Sequence, residues 1–256
     1  MIKDRLNSPD GSLRASLAFL FPAGDRPDIA ALRHLLEHDP SAAASFTLSH
    51  VPPEGDGWVE VLTSGLTFDL GGLAPAAPAG WGEAAYRFGL PADLAEGELE
   101  AVELHPGAHL RGGEALPPVT RAMLRTGLAL AALPGVRAVA WAPARSLMAP
   151  DYFAQSVARW LGGGAFPALG LTALHRDGDA AICSEGLRFF TGQELRIETH
   201  SGSDFAKAGK IAVRLIHSLV SAGPVSSACE VEGPEGARLS LEPSADGRWL
   251  RVWNKG

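Results

Sequence analysis

One stretch of this sequence decides the predicted fold, residues 177–192: Asp177-Gly178-Asp179-Ala180-Ala181-Ile182-Cys183-Ser184-Glu185-Gly186-Leu187-Arg188-Phe189-Phe190-Thr191-Gly192. Apolar runs on both sides of Gly186 predict two strands, residues 180–184 and 187–190, joined at a glycine turn. A related frame occurs earlier, over residues 56–71, and the two align without a gap. The chain is therefore predicted to be a diverged internal duplication.

The aligned positions are mainly glycines and core-type apolar residues. The matched residues are Asp56-Gly57 with Asp177-Gly178, Gly65-Leu66 with Gly186-Leu187, Phe68 with Phe189, and Gly71 with Gly192. In the same register, Pro22-Ala23 and Pro143-Ala144 each end an apolar run and precede a predicted helix. This correspondence predicts the same order of elements in both halves.

Length and composition indicate a soluble globular protein. The 256 residues, 46% hydrophobic and 20% charged, are enough for one large domain or two small ones. The formal net charge of −7 argues against nucleic acid as a partner, because phosphate binding needs clustered Lys and Arg. No cofactor motif is present: the sequence has no Walker loop, no G-x-S-x-G elbow and no G-x-G-x-x-G after a strand.

Cysteine usage and hydropathy predict a cytoplasmic location. Cys183 and Cys229 are interpreted as two buried thiols in a reducing compartment. The first residues are polar and lack the apolar core of a signal peptide. The most apolar region, residues 123–141, is interrupted by charged residues and a proline, so no membrane helix is expected.

Periodicity and breaker residues predict the elements of the first half and the middle. The first half contains a buried strand over 15–21, a helix beginning after Asp25 and Pro27 and stopping at Asp39-Pro40, and strands over 45–51, 58–63 and 66–70. Residues 71–80 form a connector. Region 81–114 contains a strand over 99–104, and a helix follows from Pro117-Pro118 to Leu133.

The second half is predicted to repeat this order. It contains a strand over 136–142, a helix from Pro150, strands over 169–174, 180–184, 187–190 and 195–199, a helix capped by Ser203 or Asp204 and ending before Gly223-Pro224, and terminal strands over 228–231, 237–241 and 249–253. The fold class is α+β, with two pseudo-repeated β-α-β-β units, mixed or antiparallel sheets and helices packed on one face. The predicted divisions are 1–80, 81–134 and 135–256, or one continuous domain.

A short motif in the second half resembles a known family. Ser184-Glu185-Gly186-Leu187, Phe189-Phe190, Gly192 and Glu194-Leu195, followed by a helix over 204–222, are similar to the bacterial DUF4261 family, a domain of unknown function. The resemblance covers residues 136–230. It implies a bacterial, cytoplasmic protein and imports no activity. The turn at Gly223-Pro224-Val225-Ser226 departs from the acidic, glycine-rich turn of that pattern.

Histidines and a cysteine are the candidates for chemistry. His34 and His38 have helical spacing for one metal ion, although the exposed face of an amphipathic helix explains them better. His105 and His109, with Glu103 nearby, are weak metal candidates because no further ligand stands out. Cys183 paired with His200 or His217 would imitate a nucleophile, but its apolar strand predicts an inert thiol.

Two further groups are candidate binding residues. Lys207, Lys210 and Arg214 form a basic stripe on the last long helix, where a solvated surface is the simpler interpretation. Gly65-Leu66 and Gly186-Leu187 would line a groove between the halves, or else bend strands and fill the core.

These observations favour a non-catalytic module that binds another protein, in the manner of an immunity or adaptor protein. The alternatives are an enzyme whose site is assembled from dispersed residues such as His105, His109 or Cys183, and a structural subunit of a larger assembly. The sequence leaves self-association into a homo-oligomer open.

Overall fold

A computed structural model of the chain describes residues 15–53, 55–199 and 205–254. The chain forms two compact units, Met1–Gly164 and Ala165–Gly256. Both contain helices and a mixed sheet, so the predicted α+β class is confirmed. Among the described helices, none combines the length and apolar character needed to span a bilayer.

The first unit is built on an eight-stranded sheet. Its strands are β1 (Leu17–Pro22), β2 (Thr47–His50), β3 (Trp58–Thr63), β4 (Leu66–Gly71), β5 (Tyr86–Phe88), β6 (Leu99–Pro106), β7 (Ala138–Trp141) and β8 (Ser146–Met148). They lie in the order β2-β3-β4-β6-β1-β7-β8-β5. All neighbours are antiparallel except β5 and β8, which are parallel.

Helices cover one face of this sheet. They are α1 (Ile29–His38), α2 (Pro40–Ser45), α3 (Pro117–Ala131) and α4 (Pro150–Leu161). Helix α3 contacts β1, β3, β4 and β6, and α4 contacts β7. Gly127 of α3 lies so close to Leu17 and Phe153 that only glycine leaves both side chains in place. Asp39 caps the C-terminus of α1 and the N-terminus of α2, so the predicted helix stop also begins a short second helix.

The opposite face is covered in part by the chain itself, through residues 72–98, here called the covering segment. Its partly buried apolar side chains pack on buried residues of the central strands, three of them alanines, with Ala79, Trp81, Ala84, Leu90 and Leu94 above Ala18, Leu20, Ala101, Ala138 and Leu147. Arg26 holds one end of the segment, because its guanidinium binds Glu100 and the carbonyls of Gly72 and Ala76.

The second unit has a six-stranded sheet with two helices. The strands are β9 (Ala173–Asp177), β10 (Ala181–Glu185), β11 (Glu194–Glu198), β12 (Cys229–Glu232), β13 (Arg238–Pro243) and β14 (Trp249–Asn254), and the helices are α5 (Leu187–Thr191) and α6 (Phe205–Ala222). The order is β12-β13-β14-β11-β10-β9, and β11 with β14 is the parallel pair. Helix α6 packs on β10 and β11, and α5 packs on α6 and β11.

Several predicted elements differ from the structure. Residues 187–190 are helical and not a strand, and the strand predicted over 169–174 begins only at Ala173. The division between units falls after Gly164, so β7 and α4, assigned to the second repeat, belong to the first unit. Cys229 is exposed and not buried.

The predicted duplication is not confirmed as a structural repeat. Gly57 and Gly178 both have positive φ in turns before strands, and Gly65 and Gly186 both have positive φ after them. The correspondence then ends, since Leu66 begins a strand and Leu187 begins a helix. The first strands of the two predicted repeats, β1 and β7, pair with each other in one sheet.

We predict that Gly72→Ala destabilises the protein far more than Gly24→Ala. Both glycines have φ near +85° (84° and 85°), but a Cβ at Gly72 would lie 2.5 Å from the Ala79 nitrogen, whereas Gly24 has open space. The left-handed backbone costs each variant about 1–2 kcal/mol. Overpacking adds about 1–3 kcal/mol at Gly72 alone. Urea denaturation followed by tryptophan fluorescence measures both losses, and equal losses would contradict the close approach.

Candidate interaction surface

The motif that carries the family resemblance is a single hydrogen-bonded unit in the second sheet. The Glu194 carboxylate accepts hydrogen bonds from the backbone N–H groups of Gly186 (2.9 Å), Leu187 (3.2 Å) and Arg188 (3.1 Å). It also accepts one from the Ser184 hydroxyl, which in turn accepts from the Leu195 N–H at 2.7 Å. Glu194 therefore caps the start of α5 from the neighbouring strand, and the motif is structural.

This capping explains why residues 187–190 form a helix. Gly186 has φ +91° and Gly192 has φ +80°, so a glycine turns the chain at each end of α5. Burial raises the pKa of the Glu194 carboxyl, while its hydrogen bonds from Ser184 and the three amides oppose that rise. Sequence periodicity misses the helix because its cap lies on another strand.

The predicted groove of Gly65, Leu66, Gly186 and Leu187 does not form as a set. Leu187 is fully buried, so it fills the core and cannot line a surface. Gly65 and Ser64 have positive φ and form the two-residue turn between β3 and β4, with Leu66 half-buried beside it. Gly186 serves the start of α5. Both glycines therefore shape the backbone.

The histidine candidates are not arranged as a metal centre. His109 lies with Nδ1 3.3 Å from the Thr67 hydroxyl, and His105 Nδ1 is 3.2 Å from the carbonyl of Pro106. On α1, the rings of His34 and His38 lie 4.0 Å apart, both exposed. Among the described residues, no group of three or more His, Cys, Asp or Glu side chains is placed to hold a metal ion.

Cys183 occupies a strand position that disfavours a reactive thiolate. It is buried, and desolvation raises the pKa of its thiol, while Arg196 Nη1, 3.5 Å from Sγ, opposes the rise. His217 lies on α6 with Nδ1 accepting from the Phe166 N–H at 3.1 Å. His200 and the predicted cap at Ser203 or Asp204 lie outside the described residues. The histidine opposite Cys183 in the sheet is His175, which the sequence did not indicate.

The predicted basic stripe lies on the exposed side of α6. Lys207, Lys210 and Arg214 are exposed there, beside the exposed apolar residue Val213. Ala208, Ile211 and other apolar residues of the helix are buried on its inner side. The stripe therefore has the position of a solvated helix face.

A different surface stands out on the second sheet. Because Ile182 contacts α6 and faces Ile197 and Val252 across the strands, the alternate residues of β14 point to the opposite face. These are Trp249, Arg251 and Trp253, here called the Trp–Arg face. Trp249 is 36% exposed, and the Arg251 side chain is 50% exposed. Trp and Arg are enriched at protein interfaces relative to the rest of the protein surface.

Ion pairs and stacking fix the position of the central arginine. The Arg251 guanidinium lies 4.9 Å from the centre of the Trp253 ring, and its Nη2 is 2.8 Å from Glu198 Oε1. The same oxygen accepts from Arg196 Nε at 3.1 Å, and Arg196 also pairs with Asp177. The Arg196 guanidinium lowers the pKa of the Asp177 carboxyl through this hydrogen bond and its charge. The face is thus ordered before a partner binds.

Alternation in residues 249–253 is the signal by which the sequence places two tryptophans on one strand face. It did not indicate that this face lies opposite the helices, because the pairing of β14 with β11 joins residues distant in the sequence. Comparison with known proteins gives no match: no protein-family model, no curated protein and no solved structure matches the chain.

We predict that Glu194→Ala lowers the free energy of unfolding by about 2–4 kcal/mol, because it leaves three amides at the start of α5 without their acceptor. Urea denaturation measures the loss, and hydrogen exchange should quicken at the α5 amides. Glu242→Ala, an exposed carboxyl in the same sheet, is the control and should change stability by at most about 0.5 kcal/mol. Similar losses in the two variants would refute the capping role.

The raised pKa of Glu194 predicts a definite pH dependence. A carboxyl that holds its proton more strongly in the folded state than in the unfolded state contributes less stability as pH rises. The free energy of unfolding of wild type minus that of Glu194→Gln should therefore decrease as pH rises from about 4.3, the ordinary value for Glu. Urea titrations at several pH values measure it. An increase with pH would contradict the burial argument.

Proposed function

We propose that this protein is a non-catalytic module that binds another protein through the Trp–Arg face. The single observation that carries the proposal is the alternation of Trp249, Arg251 and Trp253 on an open sheet face opposite the helices. Trp and Arg are the residue types most enriched among those that dominate binding energy at protein interfaces. These residues lie on β14, which is paired on both sides by β13 and β11, so the backbone of the face is held in place.

Charge on the face favours protein over nucleic acid. Arg251 and Arg196 are paired with Glu198 and Asp177, so their charges are largely neutralised within the sheet. A phosphate backbone needs free positive charge, whereas a protein surface can match paired charges and an exposed indole. The net charge of −7 points the same way.

The proposed setting is the bacterial cytoplasm. The resemblance of residues 184–195 to the DUF4261 pattern supports a bacterial origin, and two free cysteines are compatible with a reducing compartment. An immunity- or adaptor-like role is the form of protein binding that we propose. A homo-oligomer is a form in which the partner is a second copy of the chain.

We expect the tagged protein to retain one stoichiometric protein partner from its own host at both low and high salt. Trp249→Ala should weaken binding to that partner by about 30-fold, the effect of a residue contributing about 2 kcal/mol. Calorimetry with the purified partner measures the change. Val213→Ala is the matched control, since Val213 is also 36% exposed but lies on α6. Circular dichroism checks that each variant is folded.

Two results would count against this proposal. Equal weakening by Trp249→Ala and Val213→Ala would remove the Trp–Arg face from the interface. The absence of any partner would favour the enzyme alternative, and metal analysis of wild type and of a His105→Ala/His109→Ala variant would then test the histidine candidates.

A further inference from the structure

Besides the Trp–Arg face of the second unit, the first unit has an open surface of its own. It lies on the sheet face that the covering segment partly occupies. The segment reaches β1, β6, β7 and β8, where the sheet residues are buried. Over β3 and β4 the same face is half-exposed or exposed, and Leu62 is 37% exposed. We call this part the open half-face, and its residues are Trp58, Glu60, Leu62, Asp69, Glu103 and His105.

Strand register assembles titratable side chains into one row across this surface. Glu60 of β3 lies directly opposite Asp69 of β4, and Asp69 lies opposite His105 of β6. On the other side of Glu60, the partner is His50 of β2. Directly opposite side chains in an antiparallel pair point to the same face. Glu103, two residues before His105, is on that face as well.

Two carboxylates of this face, Glu60 and Glu103, accept hydrogen bonds from serine hydroxyls. Glu60 accepts from the Ser49 hydroxyl at 2.7 Å, and Glu103 accepts from the Ser16 hydroxyl at 2.5 Å. Within the described residues, the ion pairs involve none of Glu60, Asp69 and Glu103. Like charges placed directly opposite across strands destabilise a sheet. Repulsion between Glu60 and Asp69 therefore lowers the stability of the sheet, and a bound cation would reduce that repulsion.

Apolar side chains lie among these charges. Trp58 and Leu62 flank Glu60 on β3 and share its face, and the Trp58 ring lies 5.6 Å from that of His50. Next to this area, the covering segment shows that the same face accepts a chain segment through its apolar side chains. The surface thus offers negative charge and apolar area at strand spacing.

We propose that the open half-face docks an extended segment of a partner protein in which every second side chain faces the sheet, and in which Lys or Arg alternates with apolar residues among those facing positions. The cations lie over Glu60, Asp69 and Glu103, and the apolar residues contact Trp58 and Leu62. This surface lies in the first unit and is argued independently of the Trp–Arg face.

The test uses a fluorescein-labelled ten-residue peptide that repeats Leu-Ser-Lys-Ser, which places Leu and Lys on the same side of an extended chain and is called the Lys–Leu peptide. The Lys–Ser peptide, in which Ser replaces every Leu, is used for comparison. Fluorescence anisotropy should show binding of the Lys–Leu peptide to the full-length protein, weakened about tenfold by Glu60→Gln/Asp69→Asn. The control, Glu37→Gln/Asp93→Asn, removes the same charge from exposed positions of the same unit and should leave affinity unchanged within about twofold. Trp249→Ala should bind as wild type does, which separates this proposal from the protein-binding function proposed above.

Three results would overturn the proposal. Wild type would bind no Lys–Leu peptide, or both double variants would weaken it equally, or the Lys–Ser peptide would bind as tightly as Lys–Leu. The Glu60→Gln/Asp69→Asn variant should also unfold at a higher urea concentration than wild type, because it removes the like-charge pair. This readout shows that weaker binding does not come from unfolding.

Discussion

The first unit depends on one strand that is buried on both faces. Every residue from Leu17 to Phe21 in β1 is at most 3% exposed. Such a strand must be packed against on both faces of the sheet. The same holds for the centre of the sheet, where β6 and β7 pair with β1. Helices α3 and α4 supply one cover, and the covering segment supplies the other. Three alanines on the second side, Ala18, Ala101 and Ala138, let an irregular segment lie close to the sheet.

The second unit depends on a different interaction, a carboxylate that holds the start of a helix from a neighbouring strand. Glu194 joins Ser184, α5 and the beginning of β11. A short motif can therefore be required by the backbone without any chemistry of its own. The exposed Trp–Arg face lies on the side of the sheet that α6 does not cover.

The sequence predicts those elements whose causes are local. Asp39-Pro40 ends the first helix, Asp246-Gly247 turns a hairpin, and alternation over Trp58–Thr63 marks a strand with its correct bounds. The cap of the first helix is Asp28, three residues after the predicted Asp25. It fails where the cause lies elsewhere in the chain. Residues 187–190 have strand-like composition, but Glu194 makes them a helix. The row Glu60–Asp69–His105 and the Trp–Arg face exist only through strand pairing, which no local pattern specifies.

The path of the covering segment has a consequence for the order in which the first unit is completed. The segment leaves β4, crosses the sheet and ends its crossing in β5, which pairs only with β8. During synthesis, β6, α3, β7 and β8 must all be translated before β5 can pair with β8. In a nascent chain that has emerged only as far as β6, the strand β5 therefore lacks its pairing strand β8. A chaperone that shields exposed apolar segments would act until β8 has been synthesised.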